Sequence, residues 1–265
     1  MACSRPPFVL VHGGRHGGWC WARVARLLRA AGHDVCTPTL TGLGERSHLL
    51  TSDIGLATHV QDIVGVFEFE EITDAVLVAH SYGGSVVAGP MERIAGRVRT
   101  MVFLDAFMPA PGETVLDIVG PDLAAALLET TKQEGEGWFL PPTDASFYGV
   151  TNPADVAWVN SKMTPQPLKT YTDPSGPADR LWSHPGIFVE CQPSTLRPEI
   201  RRRARDRSAV DARFSYRVLD APHDAMVTAP ELVVQQLIEA AESCGDHMHS
   251  GSGQAGQRDR LIQPL

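Results

Sequence analysis

Apolar positions along the chain fall into two rhythms. Short runs at Phe8-Val9-Leu10-Val11, Val76-Leu77-Val78-Ala79, Thr100 to Leu104, Ile187 to Cys191 and Phe214 to Leu219 read as strands, and a further strand around Asp34 to Thr37 runs into Pro38. Between them the spacing turns helical. Trp21, Val24, Leu27, Leu28 and Ala31 share one face up to Gly32, a C-cap; further helices are predicted over Thr58 to Phe69, Gly83 to Ala95 and Pro198 to Arg205. Pro90 should kink or end the third of these. Thr228-Ala229-Pro230-Glu231 fits a capping box for a last helix with Val234, Leu237, Ile238 and Ala241 on its apolar face.

Strands alternating with helices imply an α/β fold with a mostly parallel sheet flanked by helices. From 107 to 185 that rhythm is lost, and prolines, aromatics and short helical pieces take its place. The division expected is a core of 1–106 and 186–243, an inserted cap at 107–185, and a polar, glycine-rich tail at 244–265 that is disordered.

Composition narrows the classes. A net charge of −8 and a pI near 5.7 argue against a nucleic-acid or anionic-membrane surface. Arg201-Arg202-Arg203-Ala204-Arg205, the one basic run, reads as a solvated helix face. No stretch approaches the roughly 20 apolar residues of a membrane span, and no charged segment followed by an apolar one opens the chain, so a cytoplasmic protein is expected. Cys3, Cys20, Cys36, Cys191 and Cys244 match neither a disulfide framework nor a metal site, and His247 and His249 sit in the mobile tail. No cofactor or metal is called for. Lysine occurs only at 132, 162 and 169 among 23 basic residues, a coding bias that points to a GC-rich bacterial genome.

The chemistry gathers where strands end. In Ala79-His80-Ser81-Tyr82-Gly83 a strand runs straight into a serine flanked two residues away by small side chains, as a nucleophile elbow requires. Parallel sheets place their sites at the carboxyl ends of strands. Gly13-Gly14, Ser81, Asp105 and His223 all fall on that edge. A serine hydroxyl is a weak nucleophile until a histidine takes its proton, and that histidine needs an acid to fix its tautomer.

These segments resemble a known family. The run FVLVHGGRHGGWCW (8–21), the elbow AHSYGG, FLDAFMPAPGE (103–113) and PHDAMVTAPE (222–231) are similar to the α/β-hydrolase branch of bacterial carboxylesterases, plant methyl-ester esterases and hydroxynitrile lyases. The resemblance implies the α/β-hydrolase fold with an inserted cap, Ser81 as nucleophile, His223 as general base, and the N–H groups of Gly14 and Tyr82 as oxyanion hole. Relatives with lyase activity carry threonine and lysine where this chain has Gly13 and Asp224, which speaks against cyanohydrin cleavage.

The chain departs from the family at the acid. The loop where an aspartate is usual reads Gln192-Pro193-Ser194-Thr195-Leu196. Some relatives carry the acid one strand earlier, which makes Asp105 the first candidate, Glu190 the second and Asp220 the third; a Ser-His dyad stays open. Of the insertion's Trp138, Phe139, Phe147, Tyr148, Trp158 and Tyr171, about one in three should line the pocket, and Trp138, Phe139 and Trp158 are taken, with Gly13, as its wall. The expected activity is hydrolysis of an ester or lactone of an apolar or aromatic small molecule. The alternative is a lyase or cyclase of secondary metabolism in the same pocket. The partner expected is a small-molecule substrate, with no nucleic acid and no membrane; a homodimer is left open.

Overall fold

The computed structural model describes residues 5–194 and 196–249, with side chains through Glu242. Strands β1 (Phe8–Val11), β2 (Val35–Cys36), β3 (Ala75–His80) and β4 (Val98–Leu104) precede the insertion; β7 (Gly186–Cys191) and β8 (Phe214–Leu219) follow it. They form one parallel sheet in the order β2-β1-β3-β4-β7-β8. Side chains alternate along each strand, so Val9, Leu77, Phe103 and Phe188 enter one core and Leu10, Val78, Val102 and Val189 the other. Both faces are covered by helices, which is why β1, β3 and β7 are buried at every residue. The helices Ala22–Ala30 and Pro230–His249 cover the second core, and Leu56–Phe69, Gly83–Ala88 and Pro198–Val210 the first.

Pro90 ends the helix early as expected, and three other expectations need correction. The helix predicted from Gly83 to Ala95 is two pieces, Gly83–Ala88 and Met91–Ile94, because Pro90 supplies no N–H. Thr228 closes the short helix Ala225–Thr228 and its hydroxyl donates back to the Asp224 carbonyl (3.2 Å), so it does not form the capping box. The last helix continues to His249, past the Ser243 boundary set for a disordered tail; residues 250–265 and the side chains of Cys244, His247 and His249 lie outside those described, as does Cys3. Nor is the arginine run merely solvated, since Arg201 and Arg205 pair with Glu190, and Arg203 with Glu113.

Between β4 and β7 lie six short helical pieces, the longest Pro121–Glu134, and a small antiparallel pair of β5 (Phe139–Leu140) with β6 (Gln166–Pro167). This segment is sewn to the core near the site. The Phe107 N–H donates to the Ser81 carbonyl (2.9 Å), and a Cβ on Gly84 would lie 1.9 Å from the Phe107 oxygen. Gly84→Ala is therefore expected to destabilise the protein by about 3 kcal/mol, since backbone on both sides must move. Chemical denaturation measures this; a change below about 1 kcal/mol would show the contact to be soft.

Candidate active site

Four strand ends deliver the expected side chains to one place. Ser81 follows β3 and Asp105 follows β4, each in the left-handed region (φ 50° and 40°), a conformation costly for residues with a Cβ. The elbow is tight: a Cβ on Gly83 would sit 2.9 Å from the His12 oxygen and 3.0 Å from that of Val11. That approach tilts the turn so that the Ser81 side chain lines a cavity instead of packing on the sheet.

His223, in the loop after β8, is buried, and its Nδ1–H donates to Asp105 Oδ2 at 2.6 Å. Asp105 is fully buried. Its Oδ1 accepts from the Ser194 hydroxyl (2.8 Å) and the Cys191 N–H (3.4 Å), and the same hydroxyl lies 3.1 Å from Oδ2. The loop that usually brings an aspartate thus brings a serine that orients one. With Nδ1 committed to Asp105, Nε2 is the ring atom left for proton transfer. Glu190, the second candidate, is held by Arg201 (2.8 Å), Arg205 (2.7 Å) and the Tyr216 hydroxyl, which together keep its carboxyl below the usual range despite burial. Asp220 is exposed. Neither is bonded to His223.

Among the described residues neither the Gly14 nor the Tyr82 N–H donates a hydrogen bond, so both remain available. The Tyr82 side chain points away: its hydroxyl donates to His59 Nδ1 (2.8 Å), His59 Nε2–H donates to the Thr41 carbonyl (2.9 Å), and its ring stacks on Tyr171. His12 holds the glycine loop, since Nδ1–H donates to the Gly13 carbonyl (2.8 Å) and Nε2 accepts from the Leu40 N–H (3.1 Å). Burial pushes this imidazole down to about 3, so it stays neutral.

The sequence reading missed a second layer. His16 Nε2–H donates to Asp224 Oδ2 (3.0 Å) and its Nδ1 lies 2.7 Å from the Gly14 carbonyl, linking the oxyanion loop to the residue beside His223. Burial alone would lower His16, but Asp224 outweighs it and raises the imidazole. Burial likewise opposes ionisation of Asp224, yet His16 outweighs it and the carboxyl is lowered. His80 Nε2–H donates to the His223 carbonyl (3.0 Å); burial holds His80 well below its usual value. Donor atoms of His80, His223 and Asp224 come within 4.8 Å of one another, and a cation there would compete with His80 and His223 for their own hydrogen bonds.

The cavity holds about 180 Å³, room for an aromatic ring and a few further atoms. Gly13 lines it as expected. Trp138, Phe139 and Trp158 do not: Trp138 packs edge-on against Phe139, and Trp158 against Trp19 and Arg23. The insertion's apolar and aromatic contribution is Phe107, Val119, Leu123, Leu127, Phe147, Tyr148 and Tyr171, with Thr143 its one polar member. Tyr148 stacks on His223 (ring centroids 5.9 Å), and its carbonyl accepts from the Asp224 N–H (3.1 Å). Gly149 permits this approach, because a Cβ there would fall 2.4 Å from that of Pro222.

Residues 8–236 match the alpha/beta hydrolase family. Over 175 residues the chain is 41% identical to a carbendazim hydrolyzing esterase of Nocardioides sp. (strain SG-4G), covering 63% of this chain and 72% of that one. It is 28% identical to methylesterase 10 of Arabidopsis thaliana over 88% of this chain and 91% of that one. Among solved structures it resembles an extracellular alpha/beta-hydrolase from a Paenibacillus species with a TM-score of 0.77 at 20% identity, over 89% of this chain and 98% of that one, a likeness of fold. Among the described residues no helix is long and apolar enough to cross a membrane.

Proposed function

The chain belongs to the alpha/beta hydrolase family and is a carboxylic-ester hydrolase-like enzyme, and on that premise we propose that it cleaves esters of apolar or aromatic small molecules through Ser81, His223 and Asp105. The observation that carries the reading is the 2.6 Å bond from His223 Nδ1–H to Asp105. It leaves Nε2 in the neutral tautomer that accepts a proton, as the attack of Ser81 Oγ on a carbonyl needs. Negative charge then develops on the carbonyl oxygen, where the Gly14 and Tyr82 N–H groups stabilise it. His223 returns the proton to the leaving alcohol, and water activated by the same imidazole releases the acyl group. No bond joins Ser81 Oγ to His223 among the described hydrogen bonds, which is ordinary before substrate binds.

Asp105, bonded to His223, stands in for the acid absent from the loop after β7, and this favours hydrolysis over the lyase or cyclase alternative. A fluorophosphonate probe is expected to label Ser81, and product analysis on an ester panel to return free acid and alcohol. An unlabelled Ser81 in folded protein would end the acyl-enzyme reading.

The walls support an apolar acyl group, since Val119, Leu123, Leu127 and Phe147 face the cavity with no carboxylate among them. Lengthening the acyl part of a 4-nitrophenyl ester from acetyl to butyryl should raise kcat/KM by about tenfold, from roughly 0.8 kcal/mol for each buried methylene. A flat or falling series would contradict an apolar pocket.

A further inference from the structure

Arg15 stands next to the oxyanion residue Gly14 and lines the cavity, yet the proposed chemistry makes no use of it. Its backbone is left-handed (φ 62°), held there by Gln166 of β6, whose side-chain oxygen accepts the Arg15 N–H at 2.7 Å. The residue is only 7% exposed. Nε donates to the Pro141 carbonyl (2.7 Å), and Nη1 reaches the Tyr148 hydroxyl only at 3.5 Å. Among the described residues Nη2 makes no hydrogen bond, and no carboxylate lies within the 4.0 Å of an ion pair. The surroundings supply no anion either. The cavity wall holds Arg15, Arg197 and three histidines but neither aspartate nor glutamate, and Arg197 has Glu199 for itself at 3.4 Å.

A guanidinium buried without an anion is costly, and the cost falls when a ligand supplies the partner. Anchoring the β1 loop to Pro141 and Tyr148 would not require a permanent charge; a neutral amide could make both bonds. We propose that Arg15 is a specificity residue that pairs with a single carboxylate on the substrate, so that the preferred substrate is an apolar ester carrying one acidic group away from the scissile bond. The inference rests on the esterase reading above and adds one charge to the apolar body read from the walls. Geometry sets the spacing: Tyr148 stacks on His223 and its hydroxyl faces Arg15, so one tyrosine separates the base from the guanidinium. A ring or several methylenes between ester and carboxylate would span it.

The test compares phenyl hexanoate with the monophenyl ester of adipic acid, which differ at the chain end by a methyl group against a carboxylate. In the wild type, kcat/KM should favour the acidic ester by at least about tenfold; Arg15→Met should bring the ratio to one or below, and Arg15→Lys to a value between. Because both esters are read on one preparation, loss of folded protein cancels from the ratio. A wild-type ratio of one or less, or an equal ratio in Arg15→Met, would overturn the proposal. So would relief of inhibition by hexanoate in Arg15→Met with the ester ratio unmoved, which would make Arg15 a site for the released acid. If neither ester is cleaved, the esterase reading fails by itself, and Arg15 is then judged by calorimetry with 4-phenylbutyrate. Binding at least tenfold weaker in Arg15→Met supports the carboxylate site, and equal or absent binding in both proteins rejects it.

Discussion

Asp105→Asn is expected to lower kcat by up to about 10⁴-fold while the fold persists. The reason lies in what surrounds the carboxylate. Oδ1 accepts from two donors, the Ser194 hydroxyl and the Cys191 N–H, so an asparagine amide would keep its oxygen on that side and turn its NH₂ toward His223. Facing a donor, Nδ1 must accept, the proton moves to Nε2, and the base presents the wrong tautomer to Ser81. Steady-state kinetics beside a thermal melt separate this from unfolding. A loss below tenfold would make Asp105 a structural residue and the centre a dyad. Adding Ser194→Asp to Asp105→Asn should recover at least about tenfold of the loss, because the Ser194 oxygen lies 3.1 Å from the oxygen that His223 contacts. In the wild-type background the same change sets two buried carboxylates together and is expected to reduce activity.

Ser81→Ala should cost about 10⁴- to 10⁶-fold in kcat and leave stability within about 0.5 kcal/mol. The second half is as specific as the first. Ser81 Oγ donates to no described residue, and alanine meets the same strain at φ 50° that serine already bears, so folding loses nothing. Burst and steady-state assays on one aryl ester, with a denaturation curve, measure both. Turnover within tenfold of wild type would remove Ser81 from the chemistry.

Much of this site could be read before the structure, and the unread part has physical reasons. Ser81 was legible because an elbow imposes small residues at fixed offsets, and His223 because a loop after the last strand has one place to go. Asp105 rested on its position at a strand end; its distance to His223 depends on the stacking of β4, β7 and β8, which no local pattern encodes. Glu190 could have been set aside by period two, because it shares a face with Phe188 and meets Arg201 and Arg205, four residues apart on a helix. The His16–Asp224 pair joins residues 208 positions apart and left no trace in either segment. The wall was misread at Trp138, Phe139 and Trp158 because the insertion's elements are too short for a period to tell inside from outside.

The position of the acid also bears on how this protein can change. Ser81 and Asp105 end adjacent strands, where His80 pairs with Leu104, and the Phe107 N–H ties the two turns together, so the proposed nucleophile and acid ride on one rigid ladder. The loop after β7 sets one hydroxyl, that of Ser194, against Asp105 and adds Leu196 and Arg197 to the cavity wall. Relatives that carry the acid in that loop must hold its length fixed; here the loop contributes a hydroxyl and part of the wall, and no carboxylate. Changes at Leu196 and Arg197 should therefore reshape the pocket rim without moving the carboxylate that His223 contacts.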